Sequence, residues 1–110
     1  MTNEPRWDPG ALDDLRSGYD WYEARELGLG RELTAEIQVI LAQSVGHPFL
    51  AKKYEHPNFP AEPEVRKIQL SRFDEYGLVY AIVDDVFWVL AIAHAKRKPG
   101  YWIDRLKSLS

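Results

Sequence analysis

Two apolar runs separated by only two residues limit the fold of this chain more than any other feature of its sequence. Residues 78–83 and 86–93 are almost wholly apolar and rich in side chains that favour strands, and the acidic pair Asp84-Asp85 stands between them. So short a connection predicts a tight β-hairpin. The longer run has eight residues, whereas a membrane-spanning helix needs about 20. We therefore expect a protein without a membrane segment.

The first half of the chain has helical periodicity. Asp8-Pro9 is typical of a helix start, because Asp accepts hydrogen bonds from free amides and Pro fits the first helical position. Asp13 and Asp14 lie mostly off the apolar stripe that follows, and Leu27-Gly28-Leu29-Gly30 predicts the end of this helix. A second stripe begins at once, which predicts an antiparallel helical hairpin. The two stripes consist of Leu12, Leu15, Tyr19 and Tyr22, and of Leu33, Ile37, Ile40, Leu41 and Ser44.

A connection rich in proline joins the two halves. Residues 46–63 contain four prolines, which exclude a regular helix or a central strand. We expect this extended connection to be pinned to the body by its apolar side chains Phe49, Leu50 and Phe59.

The remaining elements complete a predicted α+β fold. Alternating apolar and polar residues predict a half-buried strand over 65–72, and Arg6-Trp7 is a candidate edge strand. Helical spacing of Trp102, Ile103, Leu106 and Leu109 predicts a short final helix. The predicted order is (β)–α–α–β–β–β–α in a single domain spanning residues 1–110. In it the helical hairpin covers one face of an antiparallel sheet.

The charge balance narrows the class of partner. Fourteen Lys and Arg against seventeen Asp and Glu give a net charge of −3, which argues against a nonspecific coat for nucleic acid. The chain has no cysteine, which excludes a disulfide framework and fits a reducing compartment. The N-terminus lacks a secretory pattern, so the expected location is the cytoplasm. His47 and His56 have no third ligand placed to help them, so we expect no metal and no other cofactor.

A basic cluster near the C-terminus is the most suggestive chemical feature. Over the last seventeen residues five cations face a single acid, Asp104. Such a patch binds phosphate or an acidic partner even when the whole chain is acidic; the alternative is a solvated face with cations at a helix C-terminus. Tyr101 and Trp102 adjoin the charges, and the apolar spacing of Trp102 favours a core role. The five cations are Lys96, Arg97, Lys98, Arg105 and Lys107.

Three further features have both a structural and a chemical interpretation. Strict alternation places His94 on the same strand face as Trp88, Leu90 and Ile92, where it is a candidate acid or base or a partly buried, hydrogen-bonded histidine. The pairs Asp84-Asp85 and Asp74-Glu75 resemble catalytic carboxylates, but both stand at predicted turns, where Asp commonly bonds the backbone.

The final third of the chain resembles the end of toxins of the ParE/RelE superfamily. Residues 78–102 show the family's tyrosine-bearing strand, acidic turn, apolar strand ending in His, basic residues, proline and Trp before the last helix. Residues 11–15, 21–23 and 28–33 are similar to the family's helical hairpin. The resemblance covers residues 6–107 and implies the same RelE/ParE-like fold that the periodicity predicts.

The family divides by target. RelE-like members cut mRNA on the ribosome with basic side chains and a C-terminal tyrosine, without a metal, whereas ParE-like members inhibit DNA gyrase by binding it. An alignment on residues 78–80 puts Gly77 where RelE-like members have an arginine, so the sequence favours the ParE branch and a protein that is not an enzyme. The pair of lysines that RelE-like members have on the preceding strand corresponds here to Lys67 and Gln69, and their C-terminal tyrosine falls near Trp102. Residues 73–76 carry an insertion relative to the usual Phe-Pro-Tyr sequence of ParE-like members.

The resemblance implies the toxin of a type II toxin–antitoxin pair, the product of a plasmid-stabilisation locus. Its partners would be a cognate antitoxin and DNA gyrase. The residues that we expect to contact them are Arg66, Arg72, His94, Lys96, Arg97 and Lys98, with Trp102 as packing support. One alternative is a ribosome-dependent mRNA endoribonuclease that uses Lys67, Arg72, His94 and Tyr101. Another is a degenerate, non-toxic member that retains only antitoxin binding.

Overall fold

The computed structural model describes residues 4–109, and its α+β architecture confirms the predicted fold class. Two helices pack on a four-stranded sheet in which the strands lie in the order β1-β4-β3-β2. The elements are β1 (Arg6–Trp7), α1 (Pro9–Arg25), α2 (Leu29–Gly46), β2 (Val65–Gln69), β3 (Tyr76–Val83), β4 (Val86–His94) and α3 (Ile103–Leu106). Within the described residues, none of these helices is long and apolar enough to cross a bilayer.

The central hairpin of β3 and β4 forms as the sequence predicts. Asp84 and Asp85 have φ angles of 51° and 64°, and two left-handed residues in a row give a turn whose twist matches that of the strands. The sheet is not purely antiparallel, however. The candidate strand Arg6-Trp7 is confirmed as β1, and it pairs in parallel with Trp88 and Val89 of β4.

A bulge in β4 changes which side chains face the helices. Val79 pairs with Ala91 but Tyr80 pairs with Val89, so Leu90 is an extra residue in the strand. Because a bulge reverses the alternation of side chains, Val89 and Ile92 both lie in the core beneath the helices, while Leu90 lies on the opposite face. The predicted alternation is therefore wrong in placing His94 on the same face as Leu90, but His94 does share the helix side with Ile92 and lies there beside Tyr76.

The two long helices, α1 and α2, each begin where a carboxylate accepts free backbone N–H groups. The Asp8 carboxylate accepts the N–H of Gly10 at 2.8 Å, which confirms the predicted start of α1. The connection between α1 and α2 is shorter than the sequence predicts, because α2 already begins at Leu29. Gly28 has no side chain to cap α2, and the Glu23 carboxylate replaces it by accepting the N–H groups of Gly28, Gly30 and Arg31.

The second face of the sheet is covered by the C-terminal segment and by the connection over residues 47–64. Trp102 is buried there, with Phe59 edge-on to its ring at 5.0 Å, so the predicted core role of Trp102 is confirmed. Phe59 also pins the connection as predicted, but Phe49 and Leu50 are 67% and 81% exposed. They do not pin it; instead the Tyr80 hydroxyl donates to the Pro48 carbonyl at 2.6 Å.

Two predicted elements are shorter in the structure. The final helix has only four residues, and β2 ends at Gln69 rather than at residue 72. The strand ends early because residues 71–73 turn their N–H groups toward α2. There the Glu36 carboxylate accepts the N–H groups of Ser71, Arg72 and Phe73 at 3.0–3.1 Å.

Replacing Glu36 by Gln is expected to lower the free energy of unfolding by about 1–2 kcal/mol at pH 7, because charge-assisted hydrogen bonds are lost. Burial raises the pKa of the Glu36 carboxyl, but the three N–H donors and the Arg72 charge outweigh it, so its pKa lies below the ordinary value. A depressed pKa stabilises the folded state above the unfolded value, about 4.3, and this contribution is lost as the pH falls through the folded value.

Urea unfolding at pH 7 and at pH 3 measures this effect. The wild type and the Glu36→Gln variant should differ at pH 7 and converge at pH 3, where the carboxyl of Glu36 binds a proton. Glu55→Gln is the control, because Glu55 is exposed. A difference that stays the same at both pH values would contradict the assignment.

Candidate functional site

A basic turn follows the last strand, and we define it as residues 95–100. It is closed by backbone hydrogen bonds, since the N–H of Arg97 donates to the His94 carbonyl at 3.0 Å and that of Tyr101 to the Lys98 carbonyl at 3.1 Å. Gly100 ends the turn with φ at 81°, and a Cβ there would lie 2.7 Å from the Phe59 ring. Both the conformation and the close approach therefore require glycine at this position.

The buried carboxylate of Asp14, on α1, holds the C-terminal segment in place. Its Oδ2 accepts the Tyr101 hydroxyl and an Arg105 N–H, each at 2.8 Å. Its Oδ1 accepts N–H groups from Arg97 at 3.2 Å and from Arg105 at 3.3 Å. The Asp14 side chain is only 5% exposed, so this one group ties the basic turn and α3 to the first helix.

The Asp14 carboxylate also supplies a hydrogen-bond acceptor to the part of the β4 edge that β1 does not cover. Beyond the short strand β1, the N–H of Ile92 donates to Asp14 Oδ2 at 3.2 Å. The Leu90 carbonyl accepts from Arg105 at 2.8 Å. A buried acid and a cation thus replace the backbone partners that a longer edge strand would supply.

These contacts divide the predicted basic cluster into two kinds of cation. Arg105 is 18% exposed and lies between Asp14 and Asp8, whose carboxylate is 3.8 Å away, so its role is internal. Lys96 and Lys98 are exposed, and neither forms an ion pair with any other residue in the described range. The basic turn therefore presents a smaller positive surface than composition predicts.

Burial, with the charge of Asp14, raises the pKa of the Tyr101 hydroxyl well above its ordinary value. That hydroxyl therefore keeps its proton at neutral pH and donates a hydrogen bond to Asp14. A phenol held in this way serves as a fixed donor rather than as a base.

His94 lies in a groove of about 400 Å³ between α1 and the β3–β4 edge. Its Nε2 is 3.1 Å from Glu75 Oε2, and its Nδ1 accepts the N–H of Lys96 at 3.1 Å. Both ring nitrogens are thus used within the protein, which agrees with the hydrogen-bonded histidine that the sequence allowed. The groove is lined by Ser17, Trp21, Tyr22, Glu75, Tyr76, His94 and Lys96.

Comparison with known proteins gives a match to one family. The sequence model described as "ParE toxin of type II toxin-antitoxin system, parDE" matches residues 6–99. The chain belongs to the ParE toxin family. A comparison with curated proteins finds no match. The match confirms the predicted resemblance, and it ends before Tyr101 and Arg105, which complete the Asp14 cluster.

The structure of this ParE-family chain does not gather the residues of the ribonuclease alternative. The Lys67 ammonium lies 4.9 Å from the Tyr54 ring centre, on the face away from the helices. Arg72 forms a two-pronged ion pair with Glu32 on α2, at 2.9 and 3.3 Å. His94 bonds Glu75, and Tyr101 bonds Asp14. Within the described residues these four side chains share no hydrogen-bonding or stacking partner.

Gly77, where RelE-like members have an arginine, is buried against Lys67. A Cβ at this position would lie 2.6 Å from Lys67 Cε. The lysine stem therefore occupies the space directly above Gly77, and a larger residue there would have to displace it.

Two of the three arginines expected from the sequence to contact partners, Arg66 and Arg72, also make contacts within the chain. Arg66 donates to the carbonyls of Phe49 and Ala51 and pairs with Glu64 at 3.2 Å, which holds the connection against the sheet edge. Arg72 holds the β2–β3 loop against α2. Trp102 is 1% exposed, so it supports the site by packing.

Sequence reasoning missed Asp14 as the organising residue. The predicted apolar stripe of α1 does not include Asp14, yet the buried residues of that helix are Ala11, Asp14 and Gly18. Their spacing of three and four residues was the available signal. Small residues on both sides of an acid along one helix face indicate that another element packs closely there and supplies a hydrogen-bond donor for the carboxylate.

Proposed function

We propose that this ParE-family toxin acts by binding DNA gyrase without chemistry of its own and is neutralised by a cognate antitoxin. The observation that carries the proposal is the separation of Lys67, Arg72, His94 and Tyr101, each engaged with a different partner. Cleavage of RNA requires several such groups around one phosphate. Binding requires only a presented surface, and the basic turn provides one.

The distribution of charge supports a protein partner. The net charge is −3, although the basic turn carries Lys96, Arg97 and Lys98 without an acid of its own. Local positive charge of this kind attracts an acidic protein surface and sets the association rate. Since DNA gyrase and an antitoxin act in the cytoplasm, the proposal also places the protein there.

Expression of the protein with and without the antitoxin encoded beside its gene tests the proposal in cells. We expect growth arrest with relaxed plasmid DNA and with intact message, and both effects should disappear when the antitoxin is present. Plasmid topology is read on chloroquine gels and message integrity by primer extension. Codon-specific cuts in ribosome-bound message would favour the ribonuclease alternative, and a harmless product would favour the degenerate alternative.

A further inference from the structure

The three cations of the basic turn differ in how firmly they are held. Lys96 and Lys98 are exposed chains with no ion pair to another described residue. Arg97 is fixed on two sides, because its Nη1 donates to Asp14 Oδ1 at 3.2 Å and its guanidinium carbon lies 3.6 Å from the centre of the Tyr101 ring. Its side chain is nevertheless 52% exposed. The turn thus combines one oriented guanidinium with two exposed ammonium groups.

Asp14 keeps three hydrogen-bond donors besides Arg97. Arg105 already makes a two-pronged contact with Asp14, at 2.8 and 3.3 Å. The Tyr101 hydroxyl and the Ile92 N–H also donate to it. With Asp8 near Arg105, the cluster holds two acids and two arginines. Arg97 is the arginine of this pair that faces solvent.

Arg97 has donors that no described residue accepts. Within the described residues only its Nη1 takes part in a hydrogen bond, which leaves Nε and Nη2 for an acceptor in solution. A guanidinium binds a carboxylate through two parallel hydrogen bonds, which the single ammonium of lysine cannot reproduce. Because Asp14 and Tyr101 fix the group beforehand, little conformational entropy is lost on binding.

We propose that Arg97 is the recognition residue of the basic turn, that it binds an Asp or Glu carboxylate on DNA gyrase, and that Asp14 and Tyr101 are its positioning residues. Lys96 and Lys98 steer the acidic surface toward it. This inference rests on the proposed function, and it adds that the turn distinguishes arginine from lysine at one position.

Affinity for purified DNA gyrase, measured without DNA by biolayer interferometry, tests the inference. We expect Arg97→Lys to weaken binding at least tenfold at low and at high salt, since the pair of parallel hydrogen bonds is lost while the charge remains. The Lys96→Ala/Lys98→Ala pair should weaken binding at low salt only, because steering by exposed charges is screened. Arg16→Lys is the matched control, since Arg16 is an exposed arginine on α1 outside the turn.

The outcomes separate this inference from the proposed function. If the wild type binds gyrase neither in the absence nor in the presence of DNA, both the inference and the proposed function are overturned. Binding of the wild type that is equalled by Arg97→Lys would overturn the role of Arg97 and leave the proposed function standing. Binding that appears only when DNA is present would show a phosphate ligand and overturn the carboxylate assignment. Urea unfolding of each variant identifies a temperature at which all of them are folded, and binding is measured there. Under that condition, a purely structural role of Arg97 would leave the affinity of Arg97→Lys unchanged.

Discussion

Replacing Asp14 by Ala is expected to lower the free energy of unfolding by about 3–5 kcal/mol, because the change leaves a buried cation without its main partner. Arg105 would keep only the longer contact with Asp8 and its bond to the Leu90 carbonyl. The Ile92 N–H and the Tyr101 hydroxyl would lose their acceptor as well. Since a domain of this size is stable by about 5–15 kcal/mol, the loss is a large part of the total.

Equilibrium unfolding in urea measures this prediction, and the neighbouring residue supplies the control. Asp13 pairs with Arg16 on the exposed side of α1, so Asp13→Ala should change the free energy of unfolding by no more than about 0.5 kcal/mol. Equal values for the two variants would show that Asp14 does not organise the C-terminal segment.

The parts of the fold that follow local rules could be predicted from the sequence. The start of α1 at Asp8-Pro9 depends on a cap two residues away, and the β3–β4 hairpin depends on the two residues of its own turn. The core role of Trp102 followed from apolar spacing, and its burial confirms it. In each case the deciding interaction lies within a few residues along the chain.

The parts that were missed depend on contacts between distant residues. The bulge at Leu90 gives no local signal, because residues 86–93 are apolar at every position and alternation cannot be seen there. Asp14 is buried because partners 78 to 91 positions later in the chain converge on it. Likewise, the sequence located the basic turn but could not distinguish the fixed Arg97 from its neighbours Lys96 and Lys98.

Removing all three cations of the basic turn is expected to abolish toxicity without unfolding the protein. Lys96 and Lys98 are exposed, and the only ion pair of Arg97 among the described residues is with Asp14, which retains Arg105. The stability cost should therefore stay within about 1 kcal/mol. The charge of the surface that meets an acidic partner falls by three, so association slows and the fixed guanidinium contact is lost.

A control with the same change in charge makes the comparison strict. Arg16, Arg31 and Lys52 are exposed cations outside the turn, and their replacement by Ala gives a variant with the same net charge. If the site is the basic turn, this control should arrest growth as the wild type does. Arrest that is lost equally in both variants would indicate a dependence on net charge alone.

Inhibition of DNA supercoiling by purified gyrase tests the central claim most directly, because the assay contains no ribosome, message or antitoxin. The account predicts that the wild type inhibits supercoiling and that the Arg16/Arg31/Lys52 control inhibits at the same concentration. The Lys96/Arg97/Lys98 variant should need at least a hundredfold more protein for half-inhibition. Half-inhibition by this variant at the wild-type concentration would contradict the account.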